Sequence, residues 1–410
     1  MTTTVPSTLT PPADVPPSRA SRARARFVEL LATDLRALPV LAGLIVLVLY
    51  FASQSEFFLS SRNLTNLLVQ TVVTGTIALG LVFILLTGEI DLSVAAISGV
   101  SAVVMAKLVV SSGFNPALGV VIAIALGAAI GTLTGFWSTR FLVPSFVVTL
   151  GAGLMLNGTQ LILLPTSGRY SVLGTGLEKI AGTFVTGLWS WLCVLAAVAA
   201  VAGLRWTSYQ RNRRHEIEVS LVSTVVIPIA VTLVAGLVLV GVLNANEGIP
   251  VPVLIFAVLL AAASYLLNET RFGLYLYATG GNAEAALRAG IKVRRIKILS
   301  FAIAGALAAA GGIIAASRIL GVSVSSGGGI GGGAILLNSI AAAVIGGVSL
   351  FGGRGRASAA LLGALVIGVV GNGLNLLGVS TDVQLLVTGA LLVLAVTIDR
   401  SIERLTVVSR

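Results

Sequence analysis

The sequence predicts an all-α, polytopic integral membrane protein of about ten to twelve transmembrane helices. Three observations carry this. Of its 410 residues 56% are apolar and only 10% charged, whereas an ordinary soluble domain carries about 25% charged residues. The apolar residues gather in runs of bilayer-crossing length, roughly 20 residues each, not in the alternating strands of about 10 residues that a membrane β-barrel uses. Finally, the basic residues collect on one side when those runs are threaded back and forth across a membrane.

Residues 1–36 read as a disordered tail, proline-rich at first and then basic at Arg19, Arg22, Arg24 and Arg26. The basic cluster lies far from the start and no small-residue cleavage pattern follows the first apolar run, so that run reads as an uncleaved span. Spans are expected at 37–53, 64–87, 92–111, 116–138, 142–164, 183–203, 220–243, 250–268, 296–319, 334–352, 358–377 and 382–398. Residues 37–398 thus form one membrane domain, and 399–410 a second short tail. With the N-terminus inside, 21 of the 26 Lys and Arg residues fall in the two tails and the even-numbered loops. That bias obeys the positive-inside rule, and a miscount by one span would scramble it. The formal charge of +11 therefore orients the chain in the membrane, and no nucleic-acid partner is expected.

One even-numbered loop departs from the pattern. Between the second and third spans the turn is Gly88-Glu89-Ile90-Asp91, acidic and almost without length. It is either a tight cytoplasmic turn or a break inside the membrane, where irregular backbone is tolerated if it lines a cavity. A charge at the bilayer centre costs roughly 2.5–3.5 kcal/mol on insertion scales. Glu89 and Asp91 accordingly have two readings: they shape an inner gate or bend, or they lie at the interface, with Asp91 as N-cap of the third span and Ser93 in support.

Within the spans, glycine, alanine and serine recur closely, as from Gly127 to Gly135 and from Gly305 to Gly312. In lipid such residues let helix backbones approach, because packing rather than hydrophobicity joins helices there. The run 327–333 lies outside any span and reads as a loose outer loop. Cys193 sits in an apolar run with no partner for a disulfide or a CxxC site.

The longest polar interruption is 268–297. Within it Gly280-Gly281 breaks the chain and Asn282 can cap a helix, a contribution of roughly 1 kcal/mol. Glu284 in the first turn and Arg288 in the last sit at the favourable ends of the dipole, four residues apart. Gly290 supplies the left-handed stop. Ala283, Ala286 and Leu287 form one narrow apolar face. Two turns are too short to be stable alone in water, so this helix must pack on the spans or on a partner.

Several chemistries are absent. None of the four lysines follows a glycine, so there is no P-loop. His215 is the single histidine and sits among arginines far from Cys193, which leaves no nucleophile and base pair. Neither a catalytic site nor a metal or cofactor site is expected, and the chain does not read as an enzyme.

Glu284-Ala285-Ala286 followed by Gly290 resembles the EAA loop by which permease subunits of ABC importers dock onto their ATPase. The surrounding residues are similar to the version in the ribose, xylose and galactose group. So are Gly88-Glu89-Ile90-Asp91-Leu92-Ser93, Ile340-Ala341-Ala342, and Ser349-Leu350-Phe351-Gly352-Gly353-Arg354-Gly355. The resemblance spans about residues 37–398. Extra material around 165–250 resembles the longer xylose-type permeases, and Leu336 and Asn338 stand where ribose-type members carry acidic residues.

The resemblance implies a permease subunit in the bacterial cytoplasmic membrane that imports a monosaccharide, a pentose such as xylose. It implies a separate ATPase, an extracytoplasmic sugar-binding protein and a homodimer among its lipids. Docking would fall to Asn282, Glu284, Ala285, Ala286, Arg288 and Gly290. A neutral sugar needs hydroxyl and amide groups from the spans; Asn157, Thr159, Gln160, Asn338, Asn372 and Asn375 are the candidates, beside Glu89, Asp91 and Ser93 at a gate. The same amides could instead bond neighbouring helices. The competing reading is an ion-coupled secondary transporter, for which Glu89 and Asp91 are the well-placed carboxylates.

Overall fold

Each apolar run becomes a helix, and the residues interrupting the runs decide where the helices stop. The computed structural model describes residues 37–214, 220–327 and 334–408. Helix α1 (Ala37–Gln54) leads to α2 (Ser61–Leu86), whose cap Ser60 accepts the Asn63 N–H. Helix α3 (Val94–Ala106) continues through a π turn at Lys107–Ser111. Helix α4 (Pro116–Phe141) begins where the Asn115 side chain accepts the Ala117 N–H. Pro116 fits the first turn because no N–H is needed there. Leu142, left-handed at φ 56°, ends α4, and α5 (Ser145–Leu163) starts after Pro144.

The chain then forms β1 (Arg169–Ser171), α6 (Lys179–Gly182), β2 (Phe184–Val185), α7 (Leu188–Arg214), α8 (Ile227–Asn244), β3 (Ile249–Pro250) and α9 (Val251–Glu269). Next come α10 (Arg271–Gly281), α11 (Ala283–Arg288), α12 (Val293–Arg318) and β4 (Gly321–Ser323). The last helices are α13 (Ala334–Ile345), α14 (Ser358–Leu376) and α15 (Thr381–Val408). The twelve expected spans correspond in order to α1–α5, α7–α9 and α12–α15. Among the described residues, nine helices are long and apolar enough to cross a membrane, and α1 and α13 contribute shorter apolar helices. The protein is an all-α, multi-pass membrane protein.

The span expected from 183 becomes helical only at Leu188, because β2 occupies Phe184–Val185, and three further boundaries differ from expectation. The run at 334–352 is helical only to Ile345, and its 12 residues rise about 18 Å, short of a bilayer core of about 30 Å. Gly346 and Gly347 stop it, Gly347 at φ 102°, and a glycine-rich turn follows. The basic stretch expected as a loop at 205–219 belongs instead to α7 as far as Arg214. There Arg211, Arg213 and Arg214 complement the C-terminal dipole, and Arg211 pairs with Glu269 at 2.7 Å. Where a tail was expected from 399, α15 continues to Val408. The tail 1–36, His215 and the glycines at 328–333 lie outside the described residues.

Helices α2 and α3 are buried along most of their length, whereas α7 and α8 are largely exposed. The central seam is α2 against α12: Gly80 faces Ala304 and Gly311 faces Ile77, which makes the pair antiparallel. Helix α4 lies on the other side of α12 through Gly127, Gly131 and Gly305. A Cβ on Gly131 would stand 2.1 Å from the Phe301 carbonyl oxygen, and one on Gly305 2.1 Å from that of Gly127. This is backbone-on-backbone packing that only glycine permits.

The neighbours repeat. Helix α12 packs on α3 and α4, and α2 packs on α13 and α14. Likewise α3 packs on α4 and α5, and α13 on α14 and α15. These neighbours are kept when α2–α5 are exchanged with α12–α15, apart from the small α2–α3 contact, which α12 and α13 do not match; an approximate internal two-fold of this kind is one that transporter folds use.

Two short ladders tie one end of the bundle together. β1 pairs antiparallel with β4, Tyr170 opposite Val322, and β2 pairs with β3, Val185 opposite Ile249. All four strands belong to odd-numbered loops. The even-numbered turns at 87–93, 270–292 and 346–357 meet at the opposite end, so the ladders and the turns agree on one threading of the chain.

Candidate functional site

The even-numbered end is built around the acidic turn. Gly88, at φ 78°, reverses the chain, and two hydroxyls one helical turn apart on α5 hold the residues after it. Ser145 accepts the Ile90 N–H at 3.2 Å and Thr149 the Leu92 N–H at 3.1 Å. Asp91 is fully buried. Its Oδ1 accepts the Ser93 N–H at 2.7 Å and the Ser93 hydroxyl at 2.6 Å, while its Oδ2 has no partner among the described residues. Burial pushes the Asp91 carboxyl up to about 6, against the opposing pull of the Ser93 hydrogen bonds. Glu89 forms an ion pair with Lys297 near the start of α12, each side chain about one-fifth exposed.

The turn is tight, and helix α3 is entered from Ser93 with no side-chain cap. Asp91 therefore organises the turn through Ser93 and is not itself the N-cap.

Glycines lock this turn to two others. The Gly353 N–H donates to the Leu86 carbonyl at 2.9 Å. A Cβ on Gly280 would stand 1.8 Å from that same oxygen, and one on Gly352 2.8 Å from the Gly280 oxygen and 2.9 Å from the Gly88 nitrogen. The Tyr277 hydroxyl donates to the Gly355 carbonyl at 2.8 Å. The turns Gly88–Leu92 and Gly346–Leu350, each beginning with Gly and ending with Leu after an apolar run, occupy non-equivalent places in the two-fold pattern; the segments around them touch each other, Gly88 beside Phe351 and Gly352.

Beside this knot the helix expected after Asn282 is present. The Asn282 side chain accepts the Ala285 N–H at 2.9 Å, Glu284 pairs with Arg288 at 2.5 Å, and Gly290 is left-handed at φ 82°. Its apolar face is split, however. Ala286 is buried against the rest of the chain, and Leu287 is 63% exposed. Ala286 seats the helix on its own protein; Leu287, Glu284, Ala285 and Arg288 face outward.

The amides expected along a pathway fall in different places. Asn372 and Asn63 exchange reciprocal amide bonds at 2.8 and 2.9 Å, joining α14 to α2. Thr159 is exposed and bonds the Met155 carbonyl of its own helix. Asn157 and Asn338 are half-buried, with the Oδ1 of Asn157 unpartnered among the described residues. Gln160 is buried, and its Nε2 donates to the Ser323 and Ser326 carbonyls at 2.9 and 3.1 Å, fixing the loop after β4.

A cavity of about 390 Å³ opens among α2, α3, α12, that loop, α13 and α14. Gln70, Thr74, Ser98, Arg318, Ser325 and Asn375 contribute polar groups to it. Of these, only Asn375 was legible as a pathway candidate. Gln70 and Thr74 are single polar residues in an apolar span, a signal open to reading; Ser98 and Ser325 look like packing and loop residues. Among the described residues no group of three or more His, Cys, Asp or Glu side chains could hold a metal.

Residues 63–396 match the family described as "Branched-chain amino acid transport system / permease component". The chain is 37% identical over 309 residues to the xylose transport system permease protein of Haemophilus influenzae, covering 73% of this chain and 80% of that protein. It is 34% identical over 308 residues to the xylose transport system permease protein of Escherichia coli K12, covering 73% and 77%. To the ribose import permease protein of Escherichia coli K12 it is 34% identical over 289 residues, covering 70% and 72%. No solved structure matches.

Proposed function

The chain belongs to the family of branched-chain amino acid transport system permease components, and from that premise we propose that it is the membrane-spanning subunit of an ATP-driven importer for a pentose such as xylose. The observation that carries the sugar is the similarity to two xylose permeases over 73% of the chain. Ribose is the next candidate, through the ribose permease.

In this reading the outward residues of α11 seat on a separate ATPase. Leu287 offers an apolar anchor and the Glu284–Arg288 pair a polar rim, the division of labour common to protein interfaces. The end bearing the two ladders faces a sugar-binding protein outside the cytoplasmic membrane. Two copies of the chain form the working permease. An ion-coupled mechanism is not favoured, because Glu89 is neutralised by Lys297 and Asp91 serves the Ser93 turn.

The experiment is reconstitution of the permease into proteoliposomes with its ATPase and binding protein. ATP-dependent xylose accumulation that survives a proton ionophore is expected. Accumulation that needs an ion gradient and no ATP would overturn the reading.

A further inference from the structure

The cavity bounded by α2, α3, α12, α13 and α14 carries polar groups that the fold itself leaves unused. Gln70 and Thr74 on α2 and Arg318 at the end of α12 line it, and among the described residues none of the three makes a side-chain hydrogen bond or ion pair. Side-chain groups in a helical bundle ordinarily find partners on neighbouring helices. Three open ones facing a common space form a receptive surface.

The wall opposite is fixed. Gln160 grips the Ser323 and Ser326 carbonyls, the Ser326 hydroxyl accepts the Ser323 N–H at 2.9 Å, and Gly327 wedges against α3. There, at φ 68°, a Cβ would stand 2.3 Å from the Ala95 oxygen. The shape is therefore preorganised, and its volume of about 390 Å³ lies within the roughly 300–1,000 Å³ of small-molecule sites.

The chemistry selects the occupant. Among the described residues no carboxylate lines the cavity, so a cation would meet the Arg318 guanidinium with nothing to balance it. An anion would pair with the charge of that same group, an exposed residue, and be held more tightly than a neutral molecule, whereas passage requires binding weak enough to release. A neutral molecule with adjacent hydroxyls suits the set: the planar guanidinium donates two parallel hydrogen bonds, and Gln70 and Thr74 both donate and accept. We propose that this cavity is a transit site for a neutral monosaccharide and that Arg318 is its selecting residue. The proposal rests on the importer reading and adds the site through which the sugar passes.

The test is xylose uptake by proteoliposomes holding permease, ATPase and binding protein, measured together with the ATP hydrolysis that loaded binding protein stimulates. In Arg318→Gln the maximal uptake rate should fall roughly tenfold or more, as expected for a lost charge-assisted hydrogen bond. The half-saturating xylose concentration, set by the binding protein, should not move, and stimulated hydrolysis should persist. Arg318→Lys keeps the charge but not the fork and should fall between. Ala315→Phe, which fills the cavity from α12, should block uptake in the same way; if that variant is lost from the membrane, Arg318→Gln decides. Wild-type uptake in Arg318→Gln overturns the assignment and leaves the importer reading standing. Joint loss of hydrolysis and uptake overturns it too, by placing Arg318 in binding-protein docking. Absence of uptake by the wild-type complex overturns the importer reading and this site with it.

Discussion

Lys297 pairs with Glu89 across 208 residues of sequence, joining the first turns of α12 to the acidic turn between α2 and α3. Among the described residues the pair is the one salt bridge between that turn and the segment after α11. Both side chains keep about one-fifth of their exposure, so solvent screens part of the attraction. Removing either partner still strands the other in a mostly buried place. Glu89→Gln and Lys297→Met should each lower stability by about 1–2 kcal/mol and reduce uptake more than ATP hydrolysis. The charge-reversed pair, Glu89→Lys with Lys297→Glu, should recover much of both. Thermal unfolding in detergent and uptake per ATP hydrolysed measure the two effects, and additive losses in the double variant would show that the pair is not coupled.

Asp91 should make stability depend on pH in a stated direction. Its carboxyl rises from 3.8 to about 6 on folding, so between those values the folded chain binds more protons than the unfolded one. Stability then falls as pH rises through that window, by about 3 kcal/mol in all at roughly 1.4 kcal/mol per unit. Asp91→Asn keeps the oxygen that Ser93 needs and removes the charge. It should melt higher than wild type at neutral pH and flatten the slope between pH 3.8 and about 6. Asp91→Ala leaves the Ser93 N–H and hydroxyl unanswered and should be less stable at every pH; melting curves against pH separate the three proteins.

Adjacent glycines give opposite expectations. A Cβ on Gly280 would stand 1.8 Å from the Leu86 oxygen, whereas one on Gly281 meets nothing within 4 Å. Gly280→Ala should separate the three turns at that end, costing about 1–3 kcal/mol, and abolish uptake, while Gly281→Ala should be close to neutral. Gly290→Ala meets no atom but forces an L-residue to φ 82°, a strain of about 1–2 kcal/mol. Expression, monodispersity and melting temperature rank the three.

The split face of α11 separates docking from folding. Leu287→Asp changes an exposed residue and should leave the melting temperature of the permease alone while abolishing co-purification of the ATPase. Ala286→Trp overfills a buried position and should destabilise the permease itself by about 1–3 kcal/mol. Retained co-purification in Leu287→Asp would mean that α11 is a connector and not a docking element.

Twelve helices in order, the cap at Asn282 and the left-handed Gly290 were legible because each rests on local rules: run length, cap chemistry and a glycine stop. The short α13 was also within reach, since Gly346-Gly347 interrupts its run, but apolar composition alone carried the span on to 352. The site itself was mostly illegible. In lipid both faces of a helix are apolar, so hydropathy gives no phase to the spans; in the short α11, outside them, Ala286 and Leu287 are adjacent apolar residues, and nothing in the pattern says which of the two turns inward. The Glu89–Lys297 pair, the grip of Gln160 on the loop after β4 and the Asn63–Asn372 amide exchange all join residues far apart in sequence. Such contacts exist only once the helices are packed.

One rod touches both working ends. Helix α12 runs 26 residues from Val293 to Arg318, about 39 Å, with Lys297 tied to the acidic turn at one end and Arg318 at the cavity at the other. No proline interrupts it, and its flanks are seated on both sides: Gly311 takes the Ile77 side chain of α2, and Gly305 lies against the Gly127 carbonyl of α4. A displacement at Lys297 would be carried along this helix to Arg318 and the proposed transit cavity with no proline hinge between them. Keyed along both flanks in this way, the helix is suited to respond as one body, and α2 and α4 serve as its sleeve.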